Sequence, residues 1–216
     1  MERFAGLKDW YQVRTSMKAM YLSVAFVLVI WMFSTSSAYV FPVSYAAVFL
    51  GILPVNLLAY DHASGWTEYS FALPLSKELQ VAEKYLVGLL CTAVSAALNG
   101  IFCGILFWMG KPLPAMPIGL LLGAGAASIL LINGIMLPLY YRFGAEKARM
   151  LYMLMFAGMG AALGGGAVMD ELQQNGTGSG PLPVPLWLAA VLLLAVLALY
   201  AVSWRVSVAW YGKYKK

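Results

Sequence analysis

One histidine, His62, stands beside Asp61, and the 216 residues hold no other. A lone His with no Cys, Asp or Glu at ligand spacing is not a metal site. A Ser-His-Asp triad would need this same ring, and an adjacent Asp on a helix does not face it. The plain reading of His62 is a solvated residue at a membrane edge, the alternative a pH-sensitive one. Cys91 and Cys103 fall in one apolar run. Far apart along one helix, they cannot pair and read as small core side chains. Gly104–Pro112, GILFWMGKP, glances at a phosphate loop. Its glycines are one residue too far apart, Pro112 stands where a hydroxyl should hold magnesium, and no strand precedes it. The chain is expected to have no catalytic, cofactor-binding or metal-binding residues of its own, and so not to be an enzyme.

What chemistry remains is polar but uncharged and lies in apolar surroundings: Asn56, Asn99 and Asn133, with Ser95 and Ser128. Helix-to-helix hydrogen bonds are one use for such groups, at about 0.6–2 kcal/mol each. Lining a cargo path is the other. Gly158, Gly160, Gly164, Gly165 and Gly166 follow in one run. Gly160 and Gly164 form a small-xxx-small pair that lets helices approach closely; the alternative is a span bent where three glycines weaken it. Ion-coupled carriers keep a charged group at membrane depth. None is visible here, so the spans offer no motor of their own.

The elements that hold these residues follow from composition. The chain is 62% hydrophobic and 11% charged, whereas a soluble domain is about 25% charged. Runs of about 20 apolar residues mark membrane helices. The sequence predicts a single all-α integral membrane domain over 1–216, with six transmembrane helices at about 17–38, 40–60, 85–109, 118–141, 150–169 and 184–203. Residues 1–16 predict an amphipathic helix in the interface, with Trp10 and Tyr11 at headgroup level. No cleavable signal peptide is expected. Pro54 is expected to kink the second span. The net charge is +5, and the cations sit at the edges of apolar runs, which argues for membrane orientation and lipid contact rather than nucleic acid. Lys and Arg concentrate at both termini, in 61–84 and in 142–149. The positive-inside rule places all four in the cytoplasm, and six spans agree with that. Trp108, Trp187 and Trp204 are expected at span ends, as an aromatic belt. No internal repeat is visible, which weakens an inverted-repeat carrier.

The longest polar stretch between spans, 61–84, has helical grammar. Ser64 and Gly65 can start a helix, and Trp66, Tyr69 and Leu73 then share one face. Pro74 stops it. Ser76 caps a second helix, with Glu78 in its first turn, that runs on through Glu83 and Lys84 into the third span. A short amphipathic helix joined rigidly to a membrane helix suits docking in a groove on a soluble partner; lying on lipid is the other reading.

The run Asp61–Leu86, DHASGWTEYSFALPLSKELQVAEKYL, resembles a stretch of bacterial ABC-2 type transporter permease subunits, which reads like D-x-x-S-G-W-x-x-Y-x-x-x-x-P-x-S-R-K-x-x-x-x-x-K-Y. Arg142–Arg149, RFGAEKAR, is similar to the K-F-G-x-E-K-x-R turn the same family carries between its fourth and fifth spans. The chain is similar in kind to the phenol-soluble modulin exporter permeases, and antimicrobial-peptide resistance permeases are another branch. It departs from the pattern at Lys77-Glu78, where the family has Arg-Lys.

The resemblance implies the permease half of an ATP-driven exporter in the bacterial cytoplasmic membrane. A separate ABC ATPase subunit would carry ATP and Mg, beside a second permease copy or a sister permease. It implies a coupling helix over Ser64, Gly65, Trp66, Glu68, Tyr69, Phe71, Pro74, Ser76 and Lys77. Trp66, Tyr69 and Phe71 would be its apolar anchors, and Glu68 and Lys77 its charged rim. A second cytoplasmic contact would comprise Arg142, Phe143, Gly144, Glu146 and Lys147. The expected cargo is amphipathic or hydrophobic, such as a peptide. The alternative is a small carrier or membrane anchor not coupled to ATP.

Overall fold

The computed structural model describes residues 8, 11–15, 18–33, 40–70, 76–111, 117–144, 147–148, 150–151, 153–154 and 186–211. These are helical apart from turns and caps. The helices are α1 (Lys18–Phe33), α2 (Val40–Gly51), α3 (Leu53–Ala63), α4 (Trp66–Ser70), α5 (Lys77–Trp108), α6 (Ile118–Phe143) and α7 (Leu186–Tyr211). Four stretches among the described residues are long and apolar enough to cross a membrane: Pro42–Ala63, Lys77–Trp108, Ile118–Phe143 and Ala190–Tyr211. The chain is therefore a multi-pass membrane protein. α1 is apolar but shorter, at 16 residues.

The second span is two helices. α2 gives way at Ile52 and α3 restarts with Pro54 in its first turn. Proline has no N–H to offer Leu50 four residues back, so the ladder breaks where the sequence predicts a kink. At the far end α3 runs to Ala63, three residues past the expected limit. α5 begins at Lys77 and runs without a break into the third span, as the sequence predicts for a helix capped by Ser76, whose side chain accepts from the Leu79 N–H at 3.3 Å. Its 32 residues span about 48 Å at 1.5 Å each, more than a bilayer core needs. The other end of α5 closes in a Schellman turn: Lys111 N–H meets Leu106 O, Gly110 N–H meets Phe107 O, and Gly110 takes φ +67°. The stretch that glances at a phosphate loop is thus a helix end.

α7 runs on past the expected span limit of 203 to Tyr211 and holds Trp204 inside the helix. Ser207 and Tyr211, both buried, find hydrogen-bond partners in the bundle, so the helix continues. Trp108 and Trp187 are exposed near helix ends.

α6 packs against α2, α3, α5 and α7. Ala47 lies near Gly125, Ile129 touches Gly51, and Tyr140 bonds Leu58 O, so α2–α3 and α6 run parallel. Tyr200 lies against Gly134 and Arg142 against Trp210, so α6 and α7 are also parallel. α5 runs against both. Apolar clusters fill the seams, one around Leu58, Val81, Leu137 and Tyr140, another around Val43, Phe102, Leu106 and Leu121.

Most of 1–16 and of the expected fifth span, 150–169, lies outside the described residues, Gly160 and Gly164 included. So do Leu73, Phe71, Pro74 and Glu146.

Candidate functional site

The polar chemistry gathers at one end of the bundle, where α3 and α6 finish, α5 starts and α7 finishes. Asp61 is the centre of it. It lies in the last turns of α3 and is 4% exposed. Its Oδ2 lies 2.7 Å from Lys84 Nζ, on α5, and its Oδ1 pairs with Lys8 from the N-terminal segment. The Asp61 and Lys84 side chains are equally buried. An ion pair so placed persists because removing one partner strands the other's charge. The sequence reads Asp61 as the start of the polar stretch between spans and Lys84 as part of the helix that Ser76 caps; the structure keeps Lys84 on that helix and corrects Asp61, which lies inside the last turns of α3. A signal existed, since both stand in the D…K-Y frame of the 61–86 motif.

Between them the chain turns sharply. Ser64 ends α3, its Oγ donating to Asp61 O at 3.2 Å. Gly65 takes φ +71°, a conformation other residues adopt at a cost, and its carbonyl accepts from Tyr69 N–H at 3.1 Å. α4 follows. Trp66 and Tyr69 sit side by side with ring centroids 5.6 Å apart, as the sequence predicts for one face. Lys8 Nζ lies 4.5 Å over the Trp66 ring. Tyr69 is 59% exposed. Trp66, Tyr69, Lys8, Tyr11 and Gln12 line an open cleft of about 470 Å³. Ser76 and Lys77 are exposed at the start of α5. Glu68 lies in α4. His62 is exposed in the last turn of α3.

α4 is tied back to the bundle by α7. Tyr211 Oη donates to Gln80 Oε1 and lies 3.3 Å from Ser70 Oγ; Gln80 Nε2 donates to Ser70 O at 3.2 Å. The neighbouring residue of α7 holds the other predicted contact: Arg142 stands 4.8 Å over the Trp210 ring and 5.1 Å over Phe143. Gly144 ends α6 at φ +81°, and Lys147 is exposed. Residues 64–70 and 76–77 on one side, and 142–144 and 147 on the other, therefore lie at the same end, joined through Trp210 and Tyr211. Sequence reasoning missed Gln80 and Tyr211, because nothing local marks a partner 131 residues away.

Deeper in, α5, α6 and α7 share a buried chain of hydroxyls. Ser203 Oγ donates to Gly134 O at 2.5 Å. It has one hydrogen, so the Tyr85 hydroxyl, 2.7 Å away, donates to Ser203, and Ser207, 2.7 Å on its other side, donates to Tyr85. Gly134 O is free to accept because Pro138, four residues on inside α6, has no N–H. Tyr200 Oη donates to Tyr85 O at 2.8 Å and passes over Gly88, where a Cβ would stand 2.5 Å from it. The predicted asparagines are less connected. Asn99 Nδ2 reaches Val43 O at 3.5 Å across to α2 and Ser95 Oγ at 3.4 Å; Asn133 Nδ2 bonds Ile129 O of its own helix. Ser128 bonds its own helix at Ala124 O, and Asn56 is half-buried. The structure does not bring Asn56, Asn99 and Asn133 together as a hydrogen-bonded set.

Nothing in the curated proteins matches this chain, and no solved structure does. Its sequence matches the family model of ABC-2 family transporter proteins over residues 7–212, so the chain belongs to that family: it is the membrane permease of an ABC transporter, whose ATPase is a partner subunit.

Proposed function

We propose that this chain is the permease of an exporter that moves an amphipathic or hydrophobic cargo, such as a peptide, out of a bacterial cell. The observation that carries it is the shared placement of 64–70 and 142–144 at one end, both tied to the last residues of α7. A partner pressing on that face touches α3, α5, α6 and α7 together. In this reading α4 is the coupling helix. Trp66 and Tyr69, with Phe71, enter a groove on the ATPase subunit, and Lys77 and Glu68 sit at the rim. Arg142, Phe143 and Lys147 make the second contact. The face is cytoplasmic by the positive-inside rule, and so are both termini.

Six spans suit the parallel run of α6 and α7, because parallel neighbours need a return crossing between them. A second permease, a copy or a sister chain, completes the membrane part. The N-terminal segment lies on the lipid surface. ATP and Mg are held by the partner. Kinship with phenol-soluble modulin exporters is the specific version of this reading. A largely apolar hollow of about 340 Å³, lined by Val13, Tyr21, Leu50, Leu53 and Leu90 and by the acidic Glu83, suits an amphipathic cargo.

Co-purification in detergent with an ABC ATPase encoded beside it tests the proposal. The expected result is a stable complex that turns over ATP and that Trp66→Ala disrupts while the variant stays folded. A parent chain that binds no such ATPase would sink the reading.

A further inference from the structure

We infer that Asp61 is the positioning residue of the docking segment: it clasps the segment's entry to its exit, so that a push on α4 reaches α3 and α5 together. The inference rests on the docking role proposed above and goes beyond it. Asp61 lies in the last turns of α3 and Lys84 about two turns into α5, and 22 residues, 62–83, lie between them. Their side chains meet at 2.7 Å, each 5% exposed. The loop is thus shut at its base by an ion pair set among packed helices. Lys8 takes the second carboxylate oxygen and covers Trp66, so the N-terminal segment is latched to the same point.

A second tie lies above the first. Gln80, one turn before Lys84, holds Ser70 O and accepts from Tyr211. Without the clasp, a load on Trp66–Ser70 would be taken up by the turn at Ser64–Gly65 and would reach α5 only through the single Gln80–Ser70 tie. With it, the two membrane helices move as one body. An ion pair serves this better than apolar contact because its direction is fixed by charge and hydrogen-bond geometry. Its net contribution to stability is small, since replacing both partners of a buried pair by neutral groups is often tolerated. That separates positioning from folding.

The test compares the parent chain with a paired variant, Asp61→Asn/Lys84→Met made in a Lys8→Met background so that no cation is left facing a neutral side chain, each in complex with the ATPase. Hydrogen exchange is followed at Ile105–Trp108, the far end of α5, with and without ATP plus vanadate. The expected result is that the paired variant keeps its melting temperature, its co-elution and its ATP turnover but loses the nucleotide response at the far end. Lys8→Met is expected to keep that response. A paired variant that responds like the parent overturns the inference, as does one that folds but no longer binds the ATPase. A parent complex whose far end ignores nucleotide also overturns it while leaving docking intact; failure of the parent to bind at all overturns the docking reading itself. If the paired variant does not fold, Asp61→Glu takes its place. It keeps the charge and lengthens the clasp by one methylene, and an unchanged response then refutes the role.

Discussion

Ser203 is the residue whose loss tests the buried hydroxyl chain most directly. Its hydroxyl supplies the hydrogen bond that Pro138 denies to Gly134 O and accepts the one from Tyr85. Ser203→Ala removes both. An orphaned buried carbonyl costs about 1–3 kcal/mol and a lost ordinary hydrogen bond about 0.5–1.5 kcal/mol, so the variant should lose about 2–4 kcal/mol. Pro138→Ala returns an N–H to α6 at the position that serves Gly134 O. In that background Ser203→Ala loses only the Tyr85 bond, about 1 kcal/mol. The two substitutions should therefore couple by about 1–3 kcal/mol, within the range seen for residues sharing a partner. The assay is reversible unfolding in mixed micelles, with all four chains titrated with denaturing detergent under one set of conditions. Additive costs would refute the reasoning, because they would mean that Gly134 O does not depend on Ser203 for the bond that Pro138 withholds.

Gly88→Ala should destabilise by about 1–3 kcal/mol through overpacking, since its Cβ would stand 2.5 Å from Tyr200 Oη; in a Tyr200→Phe background most of that cost should vanish, as melting temperatures would show. Gly65→Ala meets open space but keeps a φ of +71°, so a cost of about 1–2 kcal/mol should appear as faster exchange of the Tyr69 amide. Ser76→Ala removes the cap of α5 and should cost about 1 kcal/mol, read as lost protection of the Leu79 amide with the melting of α6 unchanged. Arg142→Ala should weaken the tie to α7 by about 0.5–2 kcal/mol and shift the fluorescence of Trp210, which a Trp210→Phe control identifies.

Hydropathy and local grammar determined much of this protein. The apolar runs placed α2–α3, α5, α6 and most of α7, because a membrane helix must satisfy its own backbone and be greasy throughout. Pro54 foretold the break in the second span, Ser76 the start of α5, and Trp66 with Tyr69 the shared face of α4. The motifs at 61–86 and 142–149 pointed to the family to which the chain belongs. The far end of α7 was less legible, since Trp204–Tyr211 looks like a polar flank until its partners are known.

The tertiary structure decided what those partners are. Asp61 and Lys84 are 23 residues apart, and their pairing depends on α3 and α5 lying side by side. Tyr211 reaches Ser70, and Ser203 reaches the carbonyl that Pro138 leaves open, across separations that no local pattern encodes. A buried polar group needs a partner, and which one it finds is set by how helices pack rather than by its neighbours in the chain. The polar end of the bundle was written in the sequence as two separate motifs; their union through α7 exists only once the helices are assembled.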